Sequence, residues 1–156
     1  MSYETNRIKE MIRRHYDGET WHGPSLIETL SDVSSEQAIK RLLPSTHNIA
    51  EIVAHLTSWR VFVLEKLTSG ATYDIVLNSE TDWLRFDSLT VEAWQDLLVS
   101  LADTQTELLD VVESVNDRRL SDIVPGRKYS YYTLLHGGIQ HDIYHTGQIS
   151  LLKKVP

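Results

Sequence analysis

An all-α fold, specifically a four-helix bundle, is the architecture that this sequence of 156 residues predicts. Four long stretches place apolar residues at the three- and four-residue spacing of one helix face, and no stretch alternates convincingly as a strand does. Residues typical of helix caps and turns separate the four stretches. A chain of this length is expected to form one domain over residues 1–156, with a core of its own.

The first long helix is predicted from Tyr3 to Tyr16, where Asp17-Gly18 ends it. The connection that follows is expected to contain short extra helices. One is opened by Pro24 and reaches Leu30, because proline is favoured in a first helical turn. Another short turn is capped near Ser34 and ends at Leu43-Pro44.

The second long helix is predicted from about Thr46 to Leu67, closed by Ser69-Gly70. An alternative start lies at Asn48, because Asn48 and Glu51 have the spacing of a capping pair. The following segment, Ala71–Leu89, has no clean periodicity and is long for a compact domain. Such connections are often lids or binding loops, so this one is expected to contribute to a pocket.

The third long helix begins at the cap residue Thr90 and ends before the polar loop Asp117–Tyr129. Ser130 is expected to cap the fourth, which covers Thr133 to Lys154. Gly137-Gly138 lies inside this helix and costs it about 1 kcal/mol per glycine relative to alanine. The expected compensation is the close approach of a neighbouring helix or of a second chain.

Composition and charge exclude several classes of function. The net charge is −7 and the basic residues are scattered, which argues against nucleic acid or an anionic membrane as the main partner. The absence of cysteine excludes disulfides, thiolate ligands and cysteine nucleophiles. A polar first segment and no apolar run of roughly 18 residues make a cytoplasmic location the default expectation.

Three histidines are candidates for a metal site. His141 and His145 stand four residues apart on the fourth helix, about 40° apart around its axis, so both imidazoles project to one side. His55 stands on the apolar face of the second helix, where a hydrogen-bonded core histidine is the ordinary alternative. Facing helices of a bundle build metal sites, so the three together predict one divalent ion. Zinc and nickel are the expected metals.

Three further residues are weaker candidates near this site. His141-Asp142-x-x-His145 is similar to the zincin pattern with aspartate for glutamate, so Asp142 is a candidate general base. The alternative is a solvated residue or one that supports a ligand. Gln148 is a candidate contact for a metal-bound water or a substrate, or equally a polar group bonded to backbone. Glu51, one turn before His55, is a candidate acceptor that orients its imidazole.

The chain resembles the DinB/YfiT-like superfamily in three stretches, which are Trp21–Leu26, His47–Leu56 and Gln140–Ile149. The last is the most specific, because a second histidine followed by Gly-Gln-Ile is typical of the family. The resemblance assigns the family's metal ligands to His55, His141 and His145. It implies an up-down-down-up bundle, which the long connections permit, and frequent homodimers.

Two classes of function remain open, and the resemblance includes activities of the first. The first is a metalloenzyme, most directly a thiol-dependent S-transferase that uses a bacillithiol-like cofactor on small electrophilic substrates, with a metal-dependent hydrolase as a variant. The second is a non-enzymatic, stress-related metal-binding module in which the ion connects the second and fourth helices. Three protein ligands favour the enzyme, whereas a fourth from Glu51, Gln148 or a dimer mate favours the structural role.

Overall fold

The computed structural model of the chain describes residues 3–69 and 73–154, in which helices are joined by irregular loops. The helices are α1 (Tyr3–Asp17), α2 (Leu26–Leu30), α3 (Ser35–Ala38), α4 (Ile49–Thr68), α5 (Val91–Ser114) and α6 (Tyr131–Leu152), with a 3-10 helix (Asp117–Ser121) after α5. Within the two described ranges there is no strand, only an isolated bridge between Ile123 and Ser130. The prediction of an all-α chain is confirmed.

The long helices begin where the cap residues predict. Asn48 accepts a hydrogen bond from the Glu51 amide at 2.9 Å, and the Glu51 carboxylate accepts one from the Asn48 amide at 3.4 Å. This capping box satisfies two amides that the first turn would otherwise leave unpaired, so α4 starts after Asn48 and not at Thr46. Thr90 and Ser130 cap α5 and α6 by their hydroxyls alone, which accept from the amides of Ala93 and Thr133.

The short helices of the first connection differ in detail from the prediction. Ser25, and not Pro24, opens α2, because its hydroxyl and the Glu28 carboxylate complete another capping box. Ser34 caps α3 as predicted, but α3 ends at Ala38, well before Leu43-Pro44. Gly70, the predicted stop of the second long helix, lies outside the described residues, as does Ala71 at the start of the following loop.

Each long helix contacts two others. The α1 helix packs against α5 and α6, and the α4 helix packs against the same two partners. Two apolar clusters fill the space between them, one around Phe62 and Val112 and the other around Trp94 and Leu101. Trp94 is almost fully buried in the second of these clusters. No described helix is long and apolar enough to cross a membrane.

The helix α4 is buried on most of its faces because α3, α5 and α6 all contact it. Even Arg60 and Lys66, which a simple amphipathic pattern would place in solvent, are only 3% exposed. A charged side chain buried to this extent requires a partner, and Arg60 has one on α6.

The close helix approach expected at Gly137-Gly138 is not found within the described part of the chain. A Cβ atom built on Gly137 would meet no atom within 4 Å, and one built on Gly138 would lie 3.8 Å from Val63 Cγ2. Such spacing is ordinary contact or open space. A neighbouring helix therefore does not explain the two glycines.

Candidate metal centre

His55 on α4 and His141 and His145 on α6 bring their imidazoles together at one point. Their potential ligand atoms all lie within 4.8 Å of one another, and Nε2 of His55 lies 3.0 Å from Nε2 of His141. Two nitrogens bound to one tetrahedral zinc ion lie roughly 3.3 Å apart, given zinc–nitrogen bonds of about 2.0–2.1 Å. The spacing therefore fits a single ion, as the helical periodicity predicts.

The imidazole of His55 is oriented by a residue of the loop that follows α4. Its Nδ1 lies 2.8 Å from the backbone oxygen of Asp82 and 3.0 Å from Oδ1 of the same residue. Both oxygens accept hydrogen bonds, so Nδ1 carries the proton and Nε2 keeps its lone pair. This is the arrangement in which a histidine binds a metal while an outer carboxylate fixes its tautomer.

Asp82 is itself held in place. The indole nitrogen of Trp59 donates to its Oδ1 at 3.0 Å, and the amide of Asn78 donates to its Oδ2 at 2.8 Å. Asn78 has a positive φ of 62°, a conformation that asparagine tolerates better than most residues. The turn around Asn78 thus fixes the buried carboxylate that orients His55.

The same loop covers His55 with an aromatic ring. Trp83 stacks on the His55 ring with centroids 3.7 Å apart and planes at 6°, and on the His47 ring at 3.6 Å and 10°. A ring stacked on each side of Trp83 fixes the loop against α4. The segment predicted as a lid or binding loop therefore contributes Asp82 and Trp83 to the histidine site.

Gln148 orients the third imidazole. Its Oε1 lies 2.7 Å from Nδ1 of His145 and accepts the proton of that nitrogen, so Nε2 of His145 also keeps its lone pair. The partner of the Gln148 side chain is therefore an imidazole, and not the backbone group that the sequence analysis considered. Its assignment as a catalytic residue that contacts substrate stays a prediction.

Glu51 does not orient His55, contrary to the expectation from its position one turn before it. Its carboxylate accepts hydrogen bonds from Arg41 at 2.9 Å, from Nδ1 of His47 at 3.0 Å and from the amide of Phe86 at 3.0 Å. The capping geometry turns Glu51 towards the N-terminus of α4 and away from the metal candidates. Burial by itself would raise the pKa of Glu51, but the hydrogen bonds from Arg41, Phe86 and His47 lower it to about 2.

Burial keeps His55 and His145 uncharged. Desolvation, followed by the charge of His141, lowers the pKa of His145 to about 4. Desolvation also lowers the pKa of His55, against the opposing hydrogen bond to Asp82. Imidazoles that are neutral at pH 7 have lone pairs available, so the electrostatics favour a cation between them.

Asp142 lies beside the histidines but points to a different partner. Its Oδ2 accepts from Nη2 of Arg60 at 2.7 Å and from Nε at 3.1 Å, and both side chains are buried. Burial would raise the pKa of Asp142, but the charge of Arg60 lowers it. Asp142 therefore stays ionised in an ion pair that joins α4 to α6, while its role as a general base stays a prediction.

A cavity of about 300 Å³ borders the site. It lies between α1, α4 and α6, and His141 and Trp59 form part of its wall. Most of the other lining residues are apolar, and the Arg60–Asp142 pair lies on the wall as well. The loop residues Asp82 and Trp83 do not line it.

Comparison with known families agrees with this geometry. The model of the DinB superfamily matches residues 20–149, which is most of the chain. The chain belongs to the DinB superfamily. The suspected resemblance to this family, drawn from its three stretches of sequence, is thereby confirmed. No curated protein and no solved structure gives a significant match.

Sequence reasoning found the histidines of this DinB-superfamily protein but missed most of the residues around them. The link between His145 and Gln148 has a local signal, since residues three apart on a helix are neighbours. No such local signal exists for Asp82. It lies 27 residues from His55 in the sequence, and an irregular loop brings the two together. Arg60, the partner of Asp142, was also missed, although an unpaired acidic residue on an inner helix face requires a cation.

Proposed function

We propose that His55, His141 and His145 bind one divalent metal ion, zinc or nickel, at a catalytic centre. The observation that carries this proposal is the convergence of three imidazoles on one point. Asp82 and Gln148 accept from Nδ1 of His55 and of His145, which leaves the Nε2 lone pairs of these two histidines for an ion. Nitrogen ligands of this kind suit zinc and nickel.

The number of protein ligands favours an enzyme over a structural site. The group of potential ligands in residues 3–69 and 73–154 has three members, and no aspartate or glutamate joins them. Structural zinc sites are commonly closed by four protein ligands, whereas catalytic sites keep one position for water or substrate. A bound ion would supply Lewis acidity, which lowers the pKa of a thiol or water in contact with it.

We infer that the reaction is a thiol-dependent transfer to a small electrophilic substrate. A low-molecular-weight thiol, bacillithiol-like in kind, loses its proton to solvent, and its sulfur forms a bond to an electrophilic carbon of the substrate. The bond from that carbon to the leaving group breaks, and the leaving group departs with the electron pair. The residues of the chain orient the imidazoles and keep them neutral. Membership in the DinB superfamily is consistent with this choice, and attack by water on an amide or ester is the alternative reaction.

The test is a thiol titration of cobalt-loaded protein purified without an affinity tag. Thiolate binding to cobalt produces a charge-transfer absorption, which we expect for the wild type with 2-mercaptoethanol. Mass spectrometry should find one ion per chain. The substitution His145→Ala should abolish both signals, whereas His136→Ala, on the same helix but outside the trio, should leave them unchanged.

Two outcomes would contradict the proposal. If the thiol binds equally well after chelation of the metal, the ion does not activate it. If chelation lowers the melting temperature strongly and no thiol displaces a ligand, the ion has the structural role of a metal-binding module.

We also propose the up-down-down-up order for the four long helices in a single domain. Pairs of contacts support antiparallel packing of α1 with α5 and of α4 with α6. These pairs are Lys9–Glu113, Ile12–Gln105, Lys66–Tyr131 and Arg60–Asp142. Parallel packing of α4 and α5 is consistent with their shared apolar clusters. A homodimer and a cytoplasmic location stay predictions of the sequence.

A further inference from the structure

We propose that the cavity beside the histidines binds the apolar body of an uncharged small molecule, and that Gly137 and Gly138 keep this cavity open. Binding in the cavity depends on the residues of its wall and not on a bound metal ion. Only the identification of the bound molecule as a substrate rests on the proposed function.

The first support is the chemistry of the wall. The residues that line the cavity come mostly from α1, α4 and α6, with Leu108 from α5 and Tyr129 from the loop before α6, and they are mainly apolar. The charged pair on the wall, Arg60 and Asp142, is neutral as a unit because the two groups are joined by hydrogen bonds at 2.7 and 3.1 Å. A charged ligand would therefore lose its hydration without gaining a free counter-charge, whereas an apolar one gains by leaving water.

The second support is the size and position of the cavity. An apolar cavity of about 150 Å³ is large enough to bind benzene. The volume of about 300 Å³ found here is suited to one aromatic ring with an aliphatic chain. His141 and Trp59 line the same cavity, so a molecule that fills it has one end beside the histidine site.

The third support is the pair of glycines in α6. Both line the cavity, and both destabilise the helix relative to alanine. Neither is required by a close helix contact or a positive φ, since a Cβ on Gly138 would meet only Val63 at 3.8 Å. Val63 is itself a wall residue, so a larger side chain at Gly138 would extend towards the cavity. Because glycine has no side chain beyond a hydrogen atom, these two positions leave room for a ligand.

Two polar atoms of wall residues narrow the class of molecule that the cavity can bind. Nη1 of Arg60 and Nδ1 of His15 are buried and have no hydrogen-bond partner among the described residues. A single hydroxyl or carbonyl group on the ligand can pair with one of them after a small adjustment of the side chain. We therefore expect an apolar molecule with one uncharged polar group.

The experiment uses fluorine NMR of the full chain with para-fluorobenzyl alcohol and its homologues with one and two additional methylenes. Burial of each methylene should raise affinity roughly fourfold. The anion para-fluorophenylacetate should bind more weakly than the alcohol of the same chain length. This series needs only the wild-type protein, so it tests the inference even if a variant fails to fold.

Two matched glycine variants locate the binding site. The substitution Gly138→Leu should weaken binding of the longest alcohol by at least about tenfold, because its side chain occupies the cavity. Gly147→Leu introduces the same side chain on an exposed face of the same helix, where no atom lies within 4 Å. It should leave the affinity unchanged within about twofold.

Metal content of the same samples separates this inference from the proposed function. If the wild type holds no metal but binds the alcohols, the proposed function fails and the cavity inference holds. If metal is present but affinity does not rise with chain length, or Gly138→Leu binds as well as the wild type, the cavity inference is overturned. A change of oligomeric state in Gly138→Leu alone would instead assign the glycines to contact with a second copy, and would also overturn it.

Discussion

Glu51 and His55 lie on neighbouring turns of α4 and belong to two polar clusters, one around the Glu51 carboxylate and one formed by His55 with His141 and His145 of α6, whose hydrogen-bonding capacity is used differently. The Glu51 carboxylate accepts from Arg41, His47 and the amides of Asn48 and Phe86. At the histidine site, by contrast, outer nitrogens are paired while the inner Nε2 atoms face one another.

The difference distinguishes a structural polar cluster from a candidate functional one. A carboxylate that receives donors from several segments fixes the backbone, and it has little capacity left for a ligand. Neutral imidazoles with converging lone pairs have that capacity, and only a cation or a proton uses it well. The loop that contains Asp82 and Phe86 joins the two clusters, because each cluster binds one of these residues.

The largest effect is expected from breaking the cluster around the Glu51 carboxylate. Glu51→Ala removes the capping box of α4 and leaves the guanidinium of Arg41 without its main partner. We expect the free energy of unfolding to fall by about 3 kcal/mol in urea denaturation. The control is Glu113→Ala, which breaks an exposed ion pair with Lys9 and should cost less than about 1 kcal/mol. Equal losses in the two variants would contradict the structural role of Glu51.

A smaller effect, on metal affinity and not on folding, is expected from Asp82→Asn. The amide no longer favours the proton on Nδ1 of His55 as strongly, so affinity for zinc should fall by about 10- to 100-fold. Competition with a zinc-binding dye measures it. Glu80→Gln in the same loop, whose side chain is exposed, is the control and should match the wild type. Unchanged affinity in Asp82→Asn would show that the backbone oxygen alone fixes the tautomer.

Taken per histidine and per pH unit, the smallest effect is expected from pH in the metal-free protein. Burial lowers the pKa of His15 and of His145 from 6.5 to about 4. Between these values the unfolded chain binds protons that the folded chain excludes, so the free energy of unfolding should fall as pH decreases. The slope is at most about 1.4 kcal/mol per pH unit for each histidine.

Urea denaturation between about pH 7.5 and 5 measures this slope, above the range in which most carboxylates protonate. The variant His15→Gln should show a smaller slope than the wild type. Because His15 lies outside the trio, this variant also separates the stability effect from metal binding. A stability independent of pH over this range would contradict the burial of neutral histidines.

Much of the candidate site could be predicted because its parts are local. His141 and His145 lie on one side of α6 by helical periodicity, and His55 lies on the inner stripe of α4 by the same rule. What could not be predicted is which groups form hydrogen bonds or ion pairs with each of these side chains. Glu51 has the right spacing to support His55, yet its carboxylate is taken by its own cap and by Arg41.

The sequence by itself determined the helices, most of their first residues and the faces that carry the three histidines. Caps and periodicity act within a few residues, so they are readable before folding. Tertiary structure decided the pairing of Asp82 with His55, the ion pair of Arg60 with Asp142, and the cavity at Gly138. These depend on irregular loops and on the space left between packed helices, which arise only when distant segments meet.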